Sequence, residues 1–189
     1  MLTYNHSVLT NNGSWLTDGS VTPPPGPTFD SVTIGSQVWM SKNLAIDDGQ
    51  GGIYTQTVNY GQGNVVEYYY TWDAAVRVAA SISGWHLPTT AEWDTLAAAV
   101  GGTDTAGTKL KSTYGWGNYG GTDDFDFTAF PAGNWNSSFK NLYSNAWFWT
   151  SSQMNSTYAY VRYFNLGTTM ISNNRNKTSY AYSVRLIKD

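Results

Sequence analysis

The chain contains no cysteine. Disulfides, thiolate metal centres and thiol nucleophiles are thereby excluded. Charge is also scarce: 12% of the residues are Asp, Glu, Lys or Arg, against about 25% in an average globular protein. One sign of charge is missing from a long stretch, since no Asp or Glu lies between Asp126 and Asp189. No run approaches the roughly 20 apolar residues that cross a bilayer, so membrane insertion is not expected. The opening "MLTYNHSVLTNN" has no basic segment followed by an apolar core, so no signal peptide is expected in it. A surface location would then be reached by assembly into a particle, or with a signal that is no longer attached.

What the chain does have is apolar and aromatic mass. Of its 189 residues, 41% are hydrophobic and 16% aromatic, with 9 Trp and 14 Tyr. That is enough for one well-buried domain with a short appendage. The net charge of −3 is unevenly spread. Residues 1–126 hold 12 acids against 4 bases, and residues 127–189 hold 6 bases against 1 acid. A basic C-terminal third invites a nucleic-acid reading. The bases stand singly among aromatics and amides, with no Lys/Arg run, so nucleic acid is not an expected partner.

Three segments follow from local pattern. Residues 1–19 read as two short strands around Asn12-Gly13, a strong hairpin signal. A lone hairpin is marginal in water, so this piece is expected to attach to something, in a homo-oligomer or a particle. Residues 20–28, "SVTPPPGPT", form a stiff Pro-rich linker. Residues 29–189 form the main domain. It opens with a strand, a Gly-Ser turn and a strand in "FDSVTIGSQVWMSKNL", and the Gly-rich "DDGQGGIYTQTVNYGQGN" reads as loop or irregular strand. Trp72, Ala75, Val76, Ala79 and Ala80 mark one face of a first helix over 71–82. A second helix over 89–100 carries a Thr89/Glu92 capping box and stops at Gly101-Gly102. Short strands and turns are expected after Ala106. The fold class is α+β, with two helices on short antiparallel strands and a short β segment in front.

Catalytic chemistry is hard to find. His86, between Trp85 and Leu87, lacks a nucleophile or metal partner nearby in sequence and reads as a hydrogen-bonded structural residue. Asp123, Asp124 and Asp126 could offer oxygen ligands to Ca²⁺, but their spacing is not that of a calcium loop. A solvated acidic turn is the better reading. No phosphate-binding loop is present. Neither an enzyme nor a resident cofactor is expected.

Six stretches occur in order: "VTIGSQVWMSKNL", "GWHLPTTAEWDTL", "GTKLKSTYGWGN", "DDFDFTAFPAGNW", "NAWFWTSS" and "AYSVRLIKD". Together they resemble the Fibrobacter succinogenes major paralogous domain over residues 30–189. The resemblance implies a C-type lectin-like fold near the formylglycine-generating enzymes. Relatives often carry cysteines where this chain has Ser81 and Leu186, and the cysteine chemistry of those enzymes cannot transfer. The Ca²⁺-dependent sugar motifs of animal lectins are missing, and "NWNSS" does not replace them. This branch of the fold includes the variable proteins of diversity-generating retroelements, whose C-terminal segment is rewritten at template adenines.

The closing stretch fits such a product. Residues 155–182 hold five Asn, five Tyr, four Thr and three Ser. Tyr offers contact area with few rotatable bonds, and Asn, Ser and Thr offer adaptable hydrogen bonds, the mixture of antibody loops. Within a variable region of 154–182, the expected contacts are Tyr158, Tyr160, Val161, Tyr163, Asn165, Gly167, Thr168, Thr169, Ile171, Ser172, Asn173, Asn174, Asn176, Thr178, Ser179 and Tyr180. Arg162, Phe164, Leu166, Met170, Arg175 and Lys177 would be the fixed frame. The resemblance thus implies a non-catalytic binding protein on a virion or cell surface, with a protein or glycan receptor as its partner. The alternative is a fixed adhesin or glycan-binding module that stacks sugars on Trp116, Trp135 or Trp147. Loop-forming amides and hydroxyls with no special meaning remain the plainer account of "SNNRNKTS".

Overall fold

The computed structural model describes residues 27–189 and, ahead of them, the backbone of two short strands. These are β1 (Val8–Leu9) and β2 (Trp15–Leu16), paired antiparallel with Leu9 opposite Trp15. The Asn12-Gly13 turn and residues 20–26 of the linker lie outside the described residues.

The main domain begins with the hairpin of β3 (Ser31–Ile34) and β4 (Gln37–Met40). Gly35 turns it at a φ of 61°. The glycine-rich region differs from expectation. It forms a regular antiparallel pair of seven-residue strands, β5 (Ile53–Asn59) and β6 (Asn64–Tyr70). The glycines fall in the flanking turns: Gly49, Gly51, Gly52, Gly61 and Gly63 all have positive φ. They therefore punctuate the strands rather than interrupt them.

Helix α1 (Trp72–Ala80) is capped by Thr71, whose hydroxyl accepts from the Ala74 N–H. It buries Trp72, Ala74, Ala75, Val78 and Ala79. The expected face was rotated: Val76 is half-buried and Ala80 exposed. Four alanines on nine residues mark no side clearly, so packing chose it. After β7 (Trp85–His86), α2 (Thr90–Ala99) starts with the expected capping box. The Thr89 N–H donates to Glu92 at 2.6 Å, and the Glu92 N–H donates to the Thr89 hydroxyl at 3.2 Å.

A third helix, α3 (Thr103–Leu110), was not expected. Its sequence "TDTAGTKL" is poor in helix formers and has no side-chain cap. Tertiary packing holds it instead, through buried Ala106 and Leu110. Gly107 lets the chain at Thr168 lie directly against the helix. A Cβ there would stand 2.5 Å from the Thr168 carbonyl oxygen.

Two short strands, β8 (Asn134–Trp135) and β9 (Phe139–Lys140), pair with each other. The central sheet follows: β10 (Ala146–Gln153), β11 (Tyr158–Phe164) and β12 (Met170–Asn176), in that order. β13 (Ile187–Lys188) then closes a four-stranded sheet ordered β3-β4-β13-β7. The result is an α+β chain with three helices and several small antiparallel sheets among the described residues.

The central sheet is covered on both faces. On one face Phe148, Phe164 and Met170 pack with Trp93, Leu96 and Leu110. On the other, Trp147, Trp149, Ala159 and Val161 pack with Val78, Tyr182 and Leu186. This explains the continuous apolar run "AWFW" in β10, since a strand buried on both sides does not alternate. Among the described residues, no helix is long and apolar enough to cross a membrane.

Candidate ligand-binding cleft

β11 and β12 run in strict register, with Tyr158 opposite Asn176, Tyr160 opposite Asn174 and Val161 opposite Asn173. Side chains alternate along each strand. Tyr158, Tyr160, Ser172, Asn174 and Asn176 therefore share one face, and Val161, Tyr163, Ile171 and Asn173 share the other. β12 is the edge strand.

At the end where β11 begins and β12 finishes, a cleft of about 510 Å³ opens. Tyr158, Asn174, Asn176, Ser179 and Tyr180 line it, joined by Arg175 and Asn136. Asn136 is brought in from far along the chain. The Trp135 N–H donates to the Ala181 carbonyl at 3.0 Å and the Ala181 N–H returns the bond at 2.9 Å. Sequence reasoning had left Asn136 out and had counted Arg175 as frame. No local signal marks Asn136; only this long-range bridge places it.

The walls of the cleft are held by side-chain-to-backbone bonds. Asn176 Oδ1 accepts from the Thr178 and Ser179 N–H groups, both at 3.0 Å. Asn155 Oδ1 accepts from the Thr157 and Tyr158 N–H groups at 2.9 Å. Buried Lys177 donates to the carbonyls of Asn155 at 2.9 Å and Ser156 at 3.3 Å, and its ammonium sits 4.3 Å above the Trp72 ring. The two rims are thus tied together from below.

The remaining expected contacts lie elsewhere. Val161 is fully buried opposite Trp149 in the central strand, so it cannot touch a ligand. Tyr163 is half-buried, with its ring stacked 3.9 Å from Trp147. Asn165, Gly167, Thr168 and Thr169 form the β11–β12 turn at the opposite end of the sheet, about 20 Å away over seven residues. There Lys111 donates to the Asn165 and Gly167 carbonyls at 3.2 and 2.9 Å. Tyr160 is half-buried on the cleft side, and Ser172 is exposed farther along it. Ile171 and Asn173 point to the other face, and Thr178 is exposed beyond the end of β12. The sixteen residues are therefore not one surface. Five meet in the cleft and the rest scatter by strand alternation and turn position.

Most of the expected frame is buried: Arg162, Phe164, Met170 and Lys177 are each no more than 6% exposed. Arg162 donates to Asp94 at 2.7 Å. Leu166 departs from this, at 40% exposure in the turn. Two of the three candidate sugar platforms are also internal. Trp116 is buried with its indole N–H bonded to the Ala129 carbonyl, and Trp147 is covered by Tyr163 and Arg175. Trp135 is half-buried, stacked 3.7 Å from Tyr54.

Other titratable groups are engaged within the fold. His86 bridges Glu92 at 2.8 Å and Asp189 at 2.6 Å. Burial opposes its charge, but the two carboxylates outweigh it and hold its pKa above the ordinary value. Arg185 is fully buried, bonded to Asn43 and to the Met40 and Phe127 carbonyls, and burial pushes it down to about 9. Burial raises the Glu67 carboxyl, although Asn43 and Tyr60 donate to it. The acidic turn does not gather. Asp123 is engaged by the Thr128 N–H and hydroxyl, both at 2.7 Å, while Asp124 and Asp126 are exposed. Among the described residues, no three His, Asp or Glu side chains converge on a metal position.

The family model of the Fibrobacter succinogenes major domain matches residues 32–188. The chain belongs to that family. No curated protein and no solved structure matches it. The six stretches that carry the family likeness build the β3–β4 hairpin, β7, α2, the end of α3, β8, β10 and β13. None of them supplies a residue that lines the cleft. In this major domain the shared stretches form the body, and the cleft is lined by residues between them.

Proposed function

We propose that this major domain is a non-catalytic ligand-binding protein, and that the cleft at the end of β11 and β12 is its binding site. The observation that carries the reading is the cleft itself. Tyr158, Asn174 and Asn176 meet there from β11 and β12, and Ser179 and Tyr180 from the turn that follows, with Ala159 buried beside Tyr158 and Lys177 buried beneath the turn. Tyrosine area and amide hydrogen bonds on a rigid support favour binding over chemistry. The arrangement of helices around short antiparallel sheets suits a C-type lectin-like fold. Within that reading, the closing segment is diversified by a retroelement, and the protein is displayed on a virion or cell surface through its N-terminal segment to meet a protein or glycan receptor. The fixed glycan-binding module is the second reading, favoured by the half-buried Trp135–Tyr54 stack next to Asn136.

The test compares the wild-type chain with a Tyr158→Ala/Asn174→Ala/Ser179→Ala triple variant on a glycan array and a protein panel. Among the described residues no side-chain hydrogen bond of these three supports the fold, so the melting temperature should stay within a few degrees, as for surface substitutions generally. Loss of every wild-type signal is expected; retention of the signals overturns the proposal. In the flanking DNA, a near-copy of the gene's 3′ end mismatched only at adenines would separate the diversified reading from the fixed one.

A further inference from the structure

One cation in the cleft, Arg175, has no anionic partner among the described residues. The Arg175 guanidinium lies 4.9 Å from the Trp147 ring centroid, and its Nη1 donates to the Asn174 carbonyl at 2.8 Å. A further hydrogen bond joins the Arg175 side chain to the Tyr182 phenol; these contacts fix the plane of the fork and leave part of its five donors for another partner. Among the described residues the ion pairs use Lys42, Arg77, His86 and Arg162, and Arg175 is in none. None of β10, β11 and β12 carries an acid. The contrast with Arg162 on the same sheet is direct, because that arginine reaches Asp94 across to α2. Lys177, two residues on, adds a second positive charge, held by Gln153, two carbonyl oxygens and the face of Trp72, with no acid among its partners in the described residues.

We propose that the ligand of this cleft is an acidic sugar whose carboxylate pairs with Arg175. The inference rests on the ligand-binding reading of the cleft and narrows it. A planar fork matches a carboxylate through two parallel hydrogen bonds. The rest of the lining suits the hydroxyls of a sugar ring: three asparagine amides, the Ser179 hydroxyl and the phenols of Tyr158 and Tyr180. The volume of about 510 Å³ is that of a small-molecule site, whereas a protein partner usually covers a patch of about 800 Å². With so few charges in this part of the chain, a ligand carboxylate would supply the missing counter-charge.

The probes are trigalacturonate, its methyl ester and a hexaglutamate peptide, titrated calorimetrically against the full chain at low salt. Trigalacturonate should bind at least about tenfold more tightly than the ester, which keeps the shape and loses the charge. Arg175→Gln should abolish that preference, and Arg175→Lys, which keeps charge without the fork, should restore only part of it. Melting temperatures check that both variants fold; if Arg175→Gln unfolds, the lysine variant and the ester comparison carry the test. Equal affinity for acid and ester, a preference that survives in a folded Arg175→Gln, or no binding of trigalacturonate each overturns the proposal. Binding of hexaglutamate alone assigns the carboxylate to a protein partner and overturns the sugar. If acid and ester bind equally and the Tyr158/Asn174/Ser179 triple variant loses both, only the carboxylate assignment falls. If the triple variant still binds trigalacturonate, the cleft is not the site.

Discussion

Val161 offers the sharpest test of where the binding surface ends. The closing stretch places it among exchangeable positions, yet the fold buries it completely in the central strand, facing Trp149. Replacing it with Asn removes about 1.5–2 kcal/mol of apolar burial. It also places an amide where most of its four hydrogen bonds cannot be made, at a cost of about 1–3 kcal/mol. Asn173 stands directly opposite and is half-buried, so it can take one of those bonds and keeps the second figure toward its lower end. The sum is about 3 kcal/mol. For a chain of this length each kcal/mol moves the melting temperature by about 2–4 °C, so Val161→Asn should melt roughly 6–12 °C lower. Ser156→Asn, exposed just ahead of β11, is the control and should stay within about 0.5 kcal/mol. Thermal unfolding followed by circular dichroism reads both. A Val161→Asn protein as stable as wild type would show that the position adapts freely and that the core assignment is wrong.

Two further outcomes follow from the packing. Gly107→Ala sets a helix-propensity gain of about 1 kcal/mol against a Cβ placed 2.5 Å from a backbone oxygen. A carbonyl cannot rotate aside as a side chain can, and such overpacking costs about 1–3 kcal/mol. The variant should therefore be less stable, and a rise in melting temperature would refute the close approach of α3 to Thr168. The His86 bridge makes stability depend on pH. Its pKa is raised in the fold, so its contribution is complete below about pH 6.5 and is lost as pH rises through the folded value. Glu92 is lowered in the fold, its burial being outweighed by bonds from Thr89 and His86. Its contribution is present above about pH 4.3 and is lost as pH falls through the folded value. Urea midpoints at pH 5.5 and 8.5 should fall in wild type more than in His86→Gln; equal falls would show that the bridge is not formed.

Much of the body was legible because its signals are local. The Gly-Ser turn between β3 and β4, the Thr89/Glu92 capping box and the Gly101-Gly102 stop each act within a few residues, and each forms as expected. Helix α3 was not legible, since "TDTAGTKL" is a weak helix that gains its stability from Leu110 and Ala106 in the core. β5 and β6 are obscured in the sequence because the glycines of their flanking turns give the whole stretch a loop-like composition. In the candidate site, composition pointed to the right quarter of the chain. It could not separate Asn174, in the cleft, from Val161, in the core, because burial on a two-faced sheet depends on what packs against each side.

The amino-acid sequence alone determined the family, the α+β class, the absence of cysteine chemistry and the shortage of acids around Arg175, all properties of residue identity and short-range order. Only the tertiary structure decided which side chains share a surface. That choice was made by strand register, by the Trp135–Ala181 backbone bridge that carries Asn136 to the cleft and by the two cores that claim opposite faces of one sheet. These are contacts between residues far apart in the chain, and no local pattern encodes them.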